Sequence, residues 1–261
     1  MSQAYAPFID RDTIVHRIDP RAKLVGISAL FVVAYVFSNP LAIAVPALLA
    51  LGLVLSVGGY RNLRRVRVII IALFLVGFVV WPVFLAPGGA VLLAVGPVVL
   101  TEREVFIALG RSLRIVTFIL GGLVFVSTTT TEELVRGLRQ LGVPYPVCFA
   151  IGTALRLFPT FIGAAGTVQQ AQAARGAEVG GGSIRERLRG FIPLLIPVFM
   201  TAFRNIQTQS MALEARGFDP MGGRSFYGDL RFQWRDWALT FMSVSVMVLA
   251  ALAALGGFGR I

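Results

Sequence analysis

The chain has one cysteine, Cys148, and one histidine, His16, in 261 residues. A single cysteine allows no internal disulfide and no thiolate cage for a metal. A single histidine excludes any site built from several imidazoles, and His16 with Asp10, Asp12 and Asp19 is a poor donor set for a transition metal. No metal site is assigned. Charge is scarce too: 14% of residues are Asp, Glu, Lys or Arg, against about 25% in an ordinary soluble domain. No Gly-x-x-x-x-Gly-Lys-[Ser/Thr] phrase occurs, so the chain carries no P-loop for ATP. No apolar run contains an acid, which argues against a proton or sodium relay. No catalytic dyad or triad assembles around the only histidine, and no catalytic residue is assigned. Met1 to Asp12 lacks a basic region followed by an apolar core and is not expected to be a signal peptide.

What the chain does have is apolar length. Hydrophobic residues make up 56% of it and the mean hydropathy is +0.79, the composition of a membrane protein. The net charge of +11 does not point to nucleic acid, because the basic residues cluster between apolar runs as the positive-inside rule expects.

Taken in order, residues 1–23 are polar, with Asp19-Pro20 opening a helix and Arg21 and Lys23 expected at the headgroups. Leu24–Phe37 and Leu41–Val57 form a transmembrane hairpin around the turn Ser38-Asn39-Pro40. Arg61, Arg64, Arg65 and Arg67 mark a cytoplasmic loop. Val68–Leu85 crosses outward, residues 86–104 form an external loop, and Val105–Ser127 returns. Arg111 and Arg114 lie one turn apart on that returning span. Two readings stand for them: functional intramembrane charges, or side chains snorkelling to the outer headgroups. Thr129 or Thr130 caps a short helix with a Glu three residues on, and Gly142 and Pro144 end it. Residues 128–236 hold 12 arginines and 8 acids and show no obvious span. They read as helices along the cytoplasmic face, from about Val147 to Arg175 and from about Ile184 to Arg216. Pro159 kinks the first. The second is broken or bent near Pro193 and Pro197. Gly180-Gly181-Gly182-Ser183 links the two, and Gly163, Ala164, Ala165 and Ala202 offer room for close crossing. Trp237–Leu255 is the last span. Five spans place the N-terminus in the cytoplasm and the C-terminus outside.

The fold expected is therefore an all-α integral membrane protein. Residues 1–127 supply four spans, 128–236 a cytoplasmic platform, and 237–261 the fifth span. Within the platform one phrase is written twice: Ala171-Gln172-Ala173-Ala174-Arg175-Gly176 and Ala212-Leu213-Glu214-Ala215-Arg216-Gly217. Each ends a run of helix formers, so Gly176 and Gly217 fall at the position after the helix where glycine is favoured. Each arginine then sits in the last turn, at the negative end of the macrodipole. There it projects a fork of donors suited to a carboxylate. A basic residue before such a glycine is by itself ordinary helix punctuation. Duplication makes two docking tips the sharper reading, since each has a similar lead-in: Arg156 and Pro159 before the first, Pro197 and Arg204 before the second.

These blocks resemble a known family. His16-Arg17-Ile18-Asp19-Pro20-Arg21-Ala22-Lys23-Leu24 is similar to the N-terminal motif of the T component, the transmembrane coupling subunit, of energy-coupling factor (ECF) transporters. Thr129–Pro144 resembles that family's Thr-rich start and short helix ending in Leu-Gly-Val-Pro. Leu155-Arg156-Leu157-Phe158-Pro159 resembles a further block, and the paired Ala-Arg-Gly phrases, Ala174-Arg175-Gly176 and Ala215-Arg216-Gly217, its signature. The resemblance implies two long coupling helices crossing as an X, with each arginine tip entering a groove on one of two ABC-type ATPases. It implies a separate small membrane S component that captures a vitamin or a metal ion such as cobalt or nickel. ATP and Mg would bind the ATPases, so no cofactor is expected on this chain, and its partners would include the bilayer but no nucleic acid. Two other readings compete. A self-sufficient carrier needs acids, histidines or a metal set in the spans. A basic membrane scaffold predicts salt-sensitive binding without ATPases.

Overall fold

The computed structural model describes residues 9, 11, 13–84, 91–95, 98–176, 184–219, 222 and 232–256. Helix α1 (Pro20–Val36) opens as the sequence requires: Pro20 takes the first helical position, where its missing N–H costs nothing, and the Asp19 carboxylate accepts the Arg21 N–H at 2.9 Å. Helix α2 (Pro40–Ser56) repeats the device, with Asn39 Oδ1 accepting the Leu41 N–H at 2.9 Å. A three-residue turn, Val57 to Gly59, leads to α3 (Tyr60–Phe84).

Residues 86–104 are not simply the loop expected. Strands β1 (Val91–Val95) and β2 (Val98–Thr101) pair antiparallel, with Val95 opposite Val98. Apolar runs rich in valine on either side of Gly96-Pro97 carry the hairpin signal. Helix α4 (Glu102–Thr128) starts directly afterwards. Helix α5 (Thr131–Gln140) is fixed by the capping box the sequence offers. Thr130 N–H donates to Glu133 Oε2 at 3.0 Å, and Glu133 N–H donates back to Thr130 Oγ1 at 3.2 Å. Gly142, at φ +96°, ends it. Three long helices complete the order: α6 (Tyr145–Ala174), α7 (Ile184–Ala215) and α8 (Trp234–Leu255). The architecture is all-α, with the β1–β2 hairpin as the addition among the described residues.

The chain divides into two units, one of Gln3–Gly137 with Asp229–Ile261 and one of Leu138–Gly228. The division falls inside α5. In the first unit, α2 and α4 meet through Ala50, Val54, Leu120 and Val124, with Leu30 of α1 and Leu63 and Ile70 of α3 packed around them. Small residues set the spacing: a Cβ on Gly121 would sit 2.7 Å from Phe31 Cε1. Outside this core, large apolar side chains face outward, among them Leu41, Val45 and Leu48 on α2 and Phe241, Leu249 and Leu252 on α8. Apolar surface on that scale fits lipid, not water.

Among the described residues, α4, α6 and α8 are long and apolar enough to cross a bilayer, and α2 is apolar but shorter. The inclusion of α6 corrects the expectation that residues 128–236 hold no such stretch. Its residues 147–166 carry Arg156 as their only charge, and at 30 residues the helix reaches about 45 Å.

Arg111 and Arg114 of α4 are accounted for by packing inside the first unit. Arg114 Nε donates to the Ala34 carbonyl at 2.7 Å and Nη2 to the Phe37 carbonyl at 2.8 Å. Both carbonyls lie at the C-terminal end of α1, where no intrahelical N–H remains to satisfy them. The Arg111 guanidinium lies 4.0 Å from the Trp81 ring centroid on α3, a cation–π contact. Both side chains tie α4 to neighbouring helices, a role that neither the functional nor the snorkelling reading named.

Candidate functional site

In the second unit, α6 and α7 run antiparallel. Gln172 Nε2, near the end of α6, donates to the Pro193 carbonyl near the start of α7 at 3.4 Å. At the other end Phe218, just past α7, packs on Phe149 with ring centroids 4.6 Å apart, and on Tyr145 at 6.4 Å. The Gln172 contact has a local cause. The Pro193 carbonyl would ordinarily accept from residue 197, but Pro197 has no N–H, and the neighbouring helix supplies the donor. Helix α7 runs unbroken through both prolines, so of the break or bend expected there the break is not found. One freed carbonyl is met in this way, and Thr201 Oγ1 donates to the Pro197 carbonyl at 2.9 Å.

Both helix tips close as the duplicated phrase requires. Gly217 has φ +65°, and its N–H donates to the Glu214 carbonyl at 2.9 Å while the Phe218 N–H donates to the Leu213 carbonyl at 3.0 Å. This is a full Schellman closure. Gly176 has φ +82° and donates to the Ala173 carbonyl at 3.0 Å. Residues 177–183, including the glycine link, lie outside the described residues. An added Cβ on Gly217 meets open space, so Gly217→Ala would strain the backbone alone, by about 1–2 kcal/mol. Amide exchange at Phe218 should then accelerate roughly 5- to 30-fold. Exchange at the wild-type rate would show that the tip does not depend on the left-handed closure.

Arg175 and Arg216 are exposed, as are Ala174 and Gly176 beside the first and Ala215 and Gly217 beside the second. Among the described residues neither arginine has an ion-pair partner. The lead-in residues Arg156, Pro159 and Arg204 are exposed, and Pro197 is half-buried. Because the helices are antiparallel, the two arginines stand at opposite ends of the pair. Phe149 marks the Arg216 end, and Arg175 lies 26 residues further along the chain, on the order of 40 Å at 1.5 Å per residue. A Cβ on Gly163 also meets open space, so no close approach is found at that one residue.

The sequence reading missed a buried polar knot in the first unit. Lys23, expected at the headgroups, is 5% exposed. Its Nζ donates to the Thr128 carbonyl at 2.8 Å and the His16 carbonyl at 3.3 Å. An Asp236 oxygen accepts the Asp19 N–H at 2.8 Å, and the other accepts the Gln233 N–H at 2.8 Å. Arg21 grips Asp19 through Nε at 3.1 Å and Nη2 at 3.2 Å and lies 4.6 Å from the Phe232 ring. Asn62 Nδ2 donates to Ser127 Oγ at 2.9 Å. Lys23 sits one residue before the apolar run. Burial lowers its pKa from the usual lysine range, while the carboxylates of Glu133, Asp19 and Asp236 work to raise it. A signal was present in the composition: Lys23 is the only lysine beside 23 arginines. A compact ammonium with rotatable donors fits a small cage of carbonyls better than a planar fork does. The knot ties the start of α1 and the start of α8 to the end of α4, immediately before α5.

A family model described as the cobalt transport protein CbiQ matches residues 11–225. The energy-coupling factor transporter transmembrane protein EcfT of Brevibacillus brevis is 30% identical over 257 residues, 94% of this chain and 96% of that protein. EcfT of Bacillus subtilis is 29% identical over 260 residues, 96% of this chain and 97% of that protein. A Bifidobacterium longum protein that bears the name of an ABC transporter ATP-binding protein is 29% identical over 253 residues. That match takes in 93% of this chain but 32% of the longer protein.

Proposed function

We propose that this chain, which belongs to the CbiQ family and is a transmembrane component of an energy-coupling factor transporter, passes the motion of two ABC-type ATPases to a separate membrane subunit that captures the cargo. The observation that carries the reading is the pair of exposed arginines, without ion-pair partners among the described residues, each on a closed helix tip, at opposite ends of one antiparallel pair. A spacing of tens of ångströms suits two separate docking partners. Each arginine presents its fork at the negative end of a helix, ready for an acidic groove. The cross-ties at Gln172 and Phe218 make the two tips ends of one strut, so that movement at one is felt at the other. The chain itself supplies no catalytic group, and the nucleotide and its Mg belong to the ATPases. The Bifidobacterium longum relative, named for ATP binding, supports an ATPase as the partner.

The cargo is a vitamin or a metal ion held by a small S component. The Arg61–Arg67 cluster faces the cytoplasm of a multi-pass protein in the inner membrane, with the N-terminus on that side. Purification of the tagged chain from its native membrane tests the partnership. Two nucleotide-binding subunits and a small membrane protein should accompany it in detergent. Recovery of the chain without any nucleotide-binding subunit would overturn the coupling role and leave the basic scaffold as the better reading.

A further inference from the structure

Helix α3 carries an arrangement that coupling does not use. Its first two turns hold Arg61, Arg64, Arg65 and Arg67, all exposed, and its first turn has no acid. Cations at a helix N-terminus oppose the macrodipole, whose positive end lies there. The Arg11 guanidinium adds to them, lying against Gly58 in the turn that opens the helix. Nothing on the helix itself offsets this concentration of positive charge.

Below the arginines the same face turns apolar. Arg61, Arg64, Val68, Ile71, Leu75 and Val79 follow one another at steps of three or four residues, which places them in a single row. The four apolar members are each more than half exposed. The row cannot rotate inward, because the opposite face is held. Asn62 is bonded to Ser127, Leu63 and Ile70 pack on the core, and a Cβ on Gly77 would come within 2.9 Å of Ser112 Oγ. From Val68 to Val79 the row runs about 16 Å, close to the depth of one leaflet of a bilayer core about 30 Å thick.

We propose that α3 holds an anionic phospholipid, its phosphate on Arg61 and Arg64 and one acyl chain along Val68, Ile71, Leu75 and Val79. The charge and the apolar length match a single amphiphile better than an acidic protein groove, which would leave the apolar row uncovered. Basic clusters next to a membrane helix attract anionic headgroups at about 1 kcal/mol per residue. The proposal is independent of ATPase docking, since it concerns only the first unit.

The test uses the full chain purified in detergent and titrated with phosphatidylglycerol or with phosphatidylcholine of the same acyl chains, followed by thermal shift and native mass spectrometry. Phosphatidylglycerol should be retained and raise the melting temperature, and phosphatidylcholine should not. Arg61→Gln with Arg64→Gln should weaken phosphatidylglycerol binding roughly 30-fold, about fivefold for each arginine. Arg65 and Arg67 stay in place to preserve insertion, and Arg103→Gln at the start of α4 should bind as wild type does. Equal binding of the two lipids, or wild-type affinity in the double variant, would overturn the proposal. So would glycerol phosphate alone reproducing the full stabilisation, since the site would then take a free anion. Should the double variant fail to insert, a photo-crosslinker at Val68 in the otherwise unchanged chain decides the matter in vesicles containing both lipids. Preferential capture of phosphatidylglycerol supports the site, and equal capture of both removes it.

Discussion

Arg175→Ala combined with Arg216→Ala is expected to release both ATPase subunits and abolish uptake, while the chain still inserts and folds. The proposed contact is a guanidinium buried in an acidic groove. Truncating one side of such a contact costs about 2–5 kcal/mol, largely because the partner's charge stays buried and unpaired. At about 1.4 kcal/mol per tenfold, each single variant should weaken docking of its own ATPase by roughly 30-fold to several thousand-fold. The tips themselves should survive, because their closure rests on Gly176, Gly217 and backbone hydrogen bonds that alanine leaves intact. Lysine at either position should rescue poorly, since a point charge cannot make the two parallel bonds of the fork. If the arginines served only as helix-end punctuation, alanine would cost about 0.3–1 kcal/mol of local stability and the partners would stay attached. ATPase retained on the purified double variant, with uptake measured in vesicles, separates the two. Full retention with full uptake removes the docking role.

Both tips were legible because everything that makes them is local. A helix former run, an arginine and a glycine lie within one turn, and the left-handed φ at Gly217 follows from chain neighbours. The same holds for the Asp19-Pro20 start, the Thr130–Glu133 capping box and the stop at Gly142. What pins the tips was not legible. Gln172 stands two residues from Ala174 and reads as one more helix former. Its partner is a carbonyl orphaned by a proline in another helix. Phe218 reads as the first residue of an irregular segment, yet it anchors α7 to the start of α6. Such pairings depend on register between distant helices, which periodicity does not encode.

The buried knot shows the same limit from the other side. Arg21 and Lys23 were assigned to the headgroups because basic residues flanking an apolar run ordinarily sit there. The assignment fails for Lys23 because segments 105 and 7 residues away provide carbonyls for its ammonium. Arg111 and Arg114 left two readings open for a related reason: cation–π and carbonyl partners on α1 and α3 become visible only when the helices are brought together. In a chain with so few acids, buried cations are met by carbonyl dipoles and aromatic rings as much as by carboxylates.

Asp236 gives the second large effect. Its carboxylate accepts two backbone N–H groups, one from Gln233 at the start of its own helix and one from Asp19, 217 residues earlier. It is 2% exposed, so water cannot replace it. Asp236→Ala removes both acceptors at once and leaves two donors unmet. Hydrogen bonds to a charged group contribute about 1.5–3 kcal/mol each, so the expected loss is roughly 3–6 kcal/mol, comparable to the whole stability of many domains. Asp236→Asn keeps one carbonyl oxygen but turns an NH2 toward the second donor, and should fall between the two. Lys23→Met supplies the contrast, since it removes a buried cation together with its desolvation penalty and should cost less than Asp236→Ala. The measurement is the thermal midpoint of the full chain in detergent, read by loss of the monodisperse species. The expected order, from most to least stable, is wild type, Asp236→Asn, Asp236→Ala. An Asp236→Ala midpoint equal to that of wild type would mean that α1 and α8 are held by their apolar contacts alone, and the clasp between Asp19 and Asp236 would have no structural weight.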